Sequence, residues 1–202
     1  MKTARIAVLV SGGGTNLGAM IKAAQEGKLT SGKIELVIAN KADAYALQRA
    51  KDAGIATAVV LKKECGSQEA FEDRIMALLS ENKIDLIVLA GFMAILSERF
   101  TSTYPERIIN VHPSLIPSFC GKGFYGLHVH EAALAYGGKV TAATVHFVNE
   151  IPDGGRIIMQ KAVAIRENDT PESLQKRVMR LAEWKILPAA VEKVSAALVA
   201  GK

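Results

Sequence analysis

The chain has 202 residues, half of them hydrophobic and 22% charged, with a formal net charge of +5. That is long enough for a full core and too apolar for disorder. No stretch reaches the roughly 20 apolar residues of a membrane-spanning helix, so no membrane partner is expected. The opening MKTARIAVLVSGGG has a charge inside its short apolar run and reads as a strand, not a secretory signal. Two cysteines, Cys65 and Cys120, suit free thiols in a reducing cytoplasm better than a disulfide framework. The mild positive charge favours small anions, but the lysines and arginines are scattered, which argues against a nucleic-acid partner.

Strand-like and helix-like segments alternate along the chain. Residues 5–10 form an apolar run that ends at Ser11-Gly12-Gly13-Gly14. Residues 16–26 then show helical spacing, with Leu17, Met20, Ile21 and Ala24 on one side. A strand at 34–39 precedes a helix over 42–54 that stops at Gly54. Residues 57–61 read as a strand and 68–80 as a helix. Residues 84–90 are almost purely apolar, as a central parallel strand should be. A fifth strand is expected at 107–110, a helix at 127–136, and strands at 140–148 and 156–165. A long helix fills 170–200, kinked or interrupted at Pro188.

This rhythm predicts an α/β fold: a doubly wound, mostly parallel sheet with an antiparallel C-terminal hairpin and a long C-terminal helix. The hairpin is expected because NEIPDGG is short and Asp153-Gly154 is a turn signal. With no repeat, low-complexity stretch or linker, residues 1–202 read as one domain. In such sheets ligands sit at the carboxyl ends of strands, which directs attention to loops 11–16, 90–97, 110–126 and 149–155.

The first of these is a glycine-rich strand-to-helix turn. Its glycines let backbone approach a ligand, and the N–H groups and dipole of the following helix favour a phosphate. Thr15 and Asn16 add donors and are candidate helix caps. A tight turn without a ligand is the plainer alternative. The dinucleotide fingerprint fails at Leu17, and the second strand ends in Asn40-Lys41 instead of an acid for a ribose diol. No G-K-[ST] follows, so a nucleotide P-loop fails too. A monophosphate ester is the guest that remains.

In NVHPSLIPS, Asn110 and His112 are two apart and face one side if the segment is extended, which Pro113 enforces at His112. An amide and an imidazole at the mouth of a sheet can hold a carbonyl oxygen and move a proton; an Asn-led turn beside a packed histidine is the alternative. Asp153 is either the hairpin tip or a carboxylate that raises the pKa of His112, with Glu150 a rival on the same loop. His128, His130 and His146 read as ordinary fold histidines, and no metal site is expected from them. Cys120, in SFCGKGFYG, reads as a small loop residue before a nucleophile.

These three signals, in this order, resemble the phosphoribosylglycinamide formyltransferase family, folate-dependent enzymes of purine synthesis. The matching pieces are VSGGGTNL, NKADAYALQRAKDAGI, VLAGFMAILS, INVHPSLIPS, GLHVHEAAL and TVHFVNEIPDGG, which together run through nearly the whole chain. The resemblance implies transfer of a formyl group from 10-formyltetrahydrofolate to a small phosphorylated amine. Asn110, His112 and Asp153 would be catalytic. Gly14, Thr15 and Asn16, with Arg180, Leu181, Ala182 and Glu183, would hold the substrate's phosphate and ribose. Met93, Ala94, Ile95 and Leu96, with Asn149, Glu150, Ile151, Pro152 and Asp153, would wall the folate pocket, together with Gln68 and Asn110. No metal is implied, and nothing in the sequence specifies an oligomer.

The chain departs from the family at several places. Ala94 and Gln68 stand where some members carry arginine, Arg156 where proline is usual, and Trp184 and Leu187 where histidine and tyrosine are expected. A formyl-folate hydrolase could use the same trio on water, but such enzymes usually carry an extra N-terminal domain, and a transfer-RNA formyltransferase a basic C-terminal one. A nicotinamide dehydrogenase is disfavoured by the failed fingerprint, and a non-catalytic phosphate-binding module would leave the trio idle.

Overall fold

The computed structural model describes residues 3–201; Met1, Lys2 and Lys202, the ends of the expected domain, lie outside. Seven strands form one sheet: β1 (Ala4–Val10), β2 (Gly32–Ala39), β3 (Ala56–Val59), β4 (Leu86–Leu89), β5 (Ile108–His112), β6 (Val140–Phe147) and β7 (Ile157–Ala164). Their order is β3-β2-β1-β4-β5-β6-β7. Pairing is parallel from β3 through β5 and antiparallel at β5–β6 and β6–β7. The doubly wound sheet with a C-terminal antiparallel hairpin is therefore as the sequence led one to expect. The order reverses between β1 and β4, and the crevice beyond their carboxyl ends is the natural ligand site.

The helices are α1 (Thr15–Gln25), α2 (Tyr45–Asp52), α3 (Lys62–Cys65), α4 (Gln68–Glu81), α5 (Glu98–Thr103), α6 (Leu127–Ala135), α7 (Pro171–Val178) and α8 (Trp184–Val199). The alternation of β1 divides the core between the two faces of the sheet. Ile6, Val8 and Val10 meet Leu17 and Met20 of α1, Ala46 and Leu47 of α2, Leu174 of α7, and Leu187 and Val191 of α8. Ala7 and Leu9 meet Phe71, Ile75 and Leu79 of α4 and Phe100 of α5.

Three features differ from expectation. The short helices α3 and α5 have no periodicity to announce them, although Ser97 caps α5 by accepting from the Phe100 N–H. Strand β5 runs on to His112, because antiparallel pairing with β6 holds His112 opposite Thr144; Asn110 and His112 are strand residues and not part of the loop beyond. The expected long helix runs without a break from Pro171 to Val199; the irregularity in it is a π turn at Met179–Glu183, while Pro188 lies inside α8.

Candidate active site

At the first loop, Gly14 precedes α1 in a left-handed conformation (φ 68°), and no side chain caps the helix. Thr15 and Asn16 are thus not caps, and the first-turn N–H groups of an 11-residue helix stay free of side-chain partners. A Cβ on Gly14 would lie 2.5 Å from the Cβ and 2.8 Å from the Cα of Ala46, whereas Cβ positions on Gly12 and Gly13 meet nothing within 4 Å. Gly14 is therefore demanded by packing, and Gly12 and Gly13 leave the backbone open.

Asn16 is buried and donates through Nδ2 to Glu183 Oε2 at 2.7 Å, while its Oδ1 has no partner. The π turn carries Glu183 to the glycine loop across 167 residues of sequence. Burial pushes the Glu183 carboxyl above the usual range, against the Asn16 hydrogen bond. Thr15 and Arg180 line a groove of about 920 Å³ between α1 and α8, which Trp184 and Lys185 also line. Ala182 is fully buried and can offer a substrate only backbone, while Leu181 is partly buried and packs on the core.

A cluster of polar side chains meets at the carboxyl end of β5. His112 is buried, with Nε2 2.9 Å from the Phe119 carbonyl and Nδ1 3.5 Å from Asp153 Oδ2. Asp153 adopts φ 56° at the hairpin tip and also accepts from the Gly121 N–H at 2.8 Å. It is both turn residue and electrostatic partner; Glu150 makes no such contact with His112 among the described residues. Burial favours the protonated carboxyl, but His146, His112 and the Gly121 N–H outweigh it and hold Asp153 below its ordinary range. His112 goes the other way from the sequence expectation. Burial pushes its pKa below the ordinary value despite the Asp153 charge and the Phe119 carbonyl, with His146 adding to the fall. One carboxylate at 3.5 Å does not offset loss of solvent around the ring.

Asn110, His146 and Asp153 form the polar floor of a cavity of about 140 Å³ walled by Leu89, Phe92, Ala94, Ile95, Leu96, Val148, Asn149, Glu150 and Pro152. Ile151 points away and is exposed. Met93 and Gln68 line an adjoining pocket of about 590 Å³ that shares Ala94, Ile95 and Leu96. Gln68 braces this wall: its Nε2 donates to Ile95 O at 3.0 Å and to buried Glu72 at 2.6 Å. The Met93 N–H is taken by Ser11 Oγ at 2.8 Å, which ties this wall to the glycine loop.

His146, read from sequence as an ordinary strand histidine, stands in the floor of the site. The signal lay in strand register, since β6 places it opposite Asn110. His128 is exposed and pairs with Glu131 at 3.0 Å. The Cys120 thiol is raised by burial and by the Asp153 charge, which disfavours a nucleophilic thiolate. Arg156 pairs with Glu106 at 2.7 Å and stacks 4.7 Å from the Phe147 ring centroid, outside the cavity. Among the described residues no cluster of three or more His, Cys, Asp or Glu is arranged to hold a metal, and no helix is long and apolar enough to cross a membrane.

A strand-end imidazole, amide and carboxylate thus meet beside a cavity, with a glycine loop at the switch point of a doubly wound sheet. A family model described as formyl transferase matches residues 4–191. The chain is 43% identical over 188 residues to the phosphoribosylglycinamide formyltransferase of Haemophilus influenzae, covering 93% of this chain and 85% of that one. It is 44% identical to the trifunctional purine biosynthetic protein adenosine-3 of Homo sapiens, covering 98% of this chain but spanning only 19% of that protein's length. The crystal structure of the phosphoribosylglycinamide formyltransferase of Brucella melitensis superposes with a TM-score of 0.88 at 44% identity, covering 96% and 97% of the two chains. The chain belongs to the formyl transferase family and, within it, stands with the phosphoribosylglycinamide formyltransferases; it is an enzyme of formyl transfer.

Proposed function

We propose that the enzyme transfers the formyl group of 10-formyltetrahydrofolate to the amine of 5'-phosphoribosylglycinamide, by direct attack of that amine. The observation that carries this reading is the meeting of Asn110, His112 and Asp153 beside a cavity with apolar walls and a polar floor. The family's folate-derived co-substrate fits such a cavity: a flat heterocycle against Ile95, Leu96 and Val148, with its polar edge at the floor and at backbone of 93–96 and 149–153. The glycine loop takes the substrate's phosphate at the α1 N-terminus, with Thr15 and Arg180 beside it. Glu183, held by Asn16, faces the ribose.

The substrate supplies the nucleophile, so the enzyme needs none of its own. Holding the amine and the formyl carbon together supplies proximity. Asn110 donates to the formyl oxygen as it gains negative charge. His112, kept neutral by burial in the free enzyme, takes the amine's proton as the new C–N bond forms. It returns that proton to the folate nitrogen as the old C–N bond breaks. Asp153 stabilises the intervening imidazolium.

The test follows folate absorbance with formyl donor plus phosphoribosylglycinamide, against donor alone. Turnover that requires the amine is expected; equal turnover without it would make the enzyme a hydrolase. His112→Ala and Asn110→Ala should each lower kcat about 100-fold or more with the fold intact.

A further inference from the structure

His146 is almost fully buried, in the floor of the cavity. Its Nδ1 lies 2.7 Å from the Phe147 carbonyl. A carbonyl only accepts, so Nδ1 carries a hydrogen and Nε2 is the variable atom. That Nε2 sits 3.3 Å from Asn110 Nδ2 and 3.5 Å from Asp153 Oδ1. His112 is the counterpart on the other oxygen: the Phe119 carbonyl fixes its hydrogen on Nε2, and Nδ1 faces Asp153 Oδ2 at 3.5 Å. Two imidazoles thus turn their variable nitrogens on one carboxylate.

The Asn110 amide makes this consequential. Its nitrogen carries two hydrogens: one directed at His146 Nε2 fixes the plane of the amide, and the other stays free to donate to an oxyanion. The other titratable groups near this cluster are Glu150, which lines the same cavity, His130 of α6, which acts on His112, and the Cys120 thiol near Asp153.

We propose that His146 is a positioning residue for formyl transfer: its Nε2, set between the Asn110 amide and the Asp153 carboxylate, holds the Asn110 donor in the orientation that meets the reacting oxygen. This rests on the reading of Asn110 as the oxyanion donor.

The experiment pairs kinetics with side-chain NMR. His146→Phe keeps a ring and removes both nitrogens; His146→Gln restores one polar end. Expected for His146→Phe is a fall in kcat of about 100-fold with either KM changed less than about threefold, as loss of a transition-state contact gives. His146→Gln should recover about tenfold of that loss. In the wild-type enzyme, a side-chain amide hydrogen of Asn110 should show a through-hydrogen-bond coupling to His146 Nε2, while Nδ1 carries the ring's hydrogen. An Asn110 amide that ignores His146 overturns the proposal, even if both variants fail to fold. So does a His146→Phe kcat within twofold of wild type, or an equal loss of kcat and melting temperature in both variants. Absence of formyl transfer in the wild-type enzyme would instead overturn the assigned reaction and leave the NMR coupling to decide the His146–Asn110 link.

Discussion

His130 makes the stability of this fold dependent on pH in a way that can be isolated. It lies on α6, fully buried, and neither ring nitrogen has a hydrogen-bond partner. Burial, with a contribution from nearby His112, pushes its pKa down to about 4 from the ordinary 6.5. The folded state therefore keeps the ring neutral over a range in which the unfolded chain protonates it. Below pH 6.5 the unfolded state binds a proton that the folded state refuses, so stability falls as pH falls and levels off below about 4. At about 1.4 kcal/mol per pKa unit, the full loss is about 3 kcal/mol. His130→Leu removes the group while keeping bulk. Because it also removes two unpartnered polar atoms, it should be neutral or stabilising by about 1 kcal/mol at pH 7. Its advantage over wild type should then widen by about 3 kcal/mol between pH 7 and pH 4. Urea unfolding of both proteins at pH 7, 6, 5 and 4 measures the difference, in which titrations common to both largely cancel. A gap that stays flat across that range would show that His130 is solvated or hydrogen-bonded and that the reasoning from its burial is wrong.

The glycine loop separates packing from binding. Gly14→Ala should lower the melting temperature, since its Cβ would meet Ala46 at 2.5 Å at a positive φ, whereas Gly13→Ala should melt like wild type and raise KM for the phosphorylated amine more than for the folate. Equal KM changes for both substrates in Gly13→Ala would remove the loop from phosphate binding. Asp153→Asn should lower the His112 titration midpoint further, because the carboxylate is one of the few influences that raise it, and should lower kcat at pH 7; an unmoved midpoint in a histidine NMR titration would mean that Asp153 acts elsewhere. The Asp169–Arg177 pair, nearly buried and further tied to the Ser173 hydroxyl and the Arg166 N–H, anchors the start of α7. Arg177→Ala should destabilise by about 1 kcal/mol, because Asp169 keeps its bonds from the Arg166 N–H and the Ser173 hydroxyl, as denaturant unfolding would show.

Much of this was legible in the chain itself. Apolar runs alternating with helical spacing were enough for the doubly wound sheet, because a strand buried on both faces and a helix buried on one leave different periods in sequence. Asn110 and His112 were legible as a pair because two-residue spacing on an extended segment puts side chains on one face, and the short loop at Asp153-Gly154 announced the antiparallel hairpin. The π turn in the C-terminal helix was not legible, because Pro188 marks only a residue that cannot donate and the turn that widens lies before it.

Local sequence determined which elements form and which residues could do chemistry; the tertiary structure decided which of them meet. His146 could not be distinguished from any strand histidine until β6 was laid antiparallel to β5 with Asn110 opposite it. Glu183 reads as a solvated helix position until the π turn carries it to Asn16. The direction of the His112 pKa was also a tertiary matter. A neighbouring carboxylate argues for a rise, but the ring's own burial weighs more, and burial is a property of everything packed around it, not of any nearby residue in the chain.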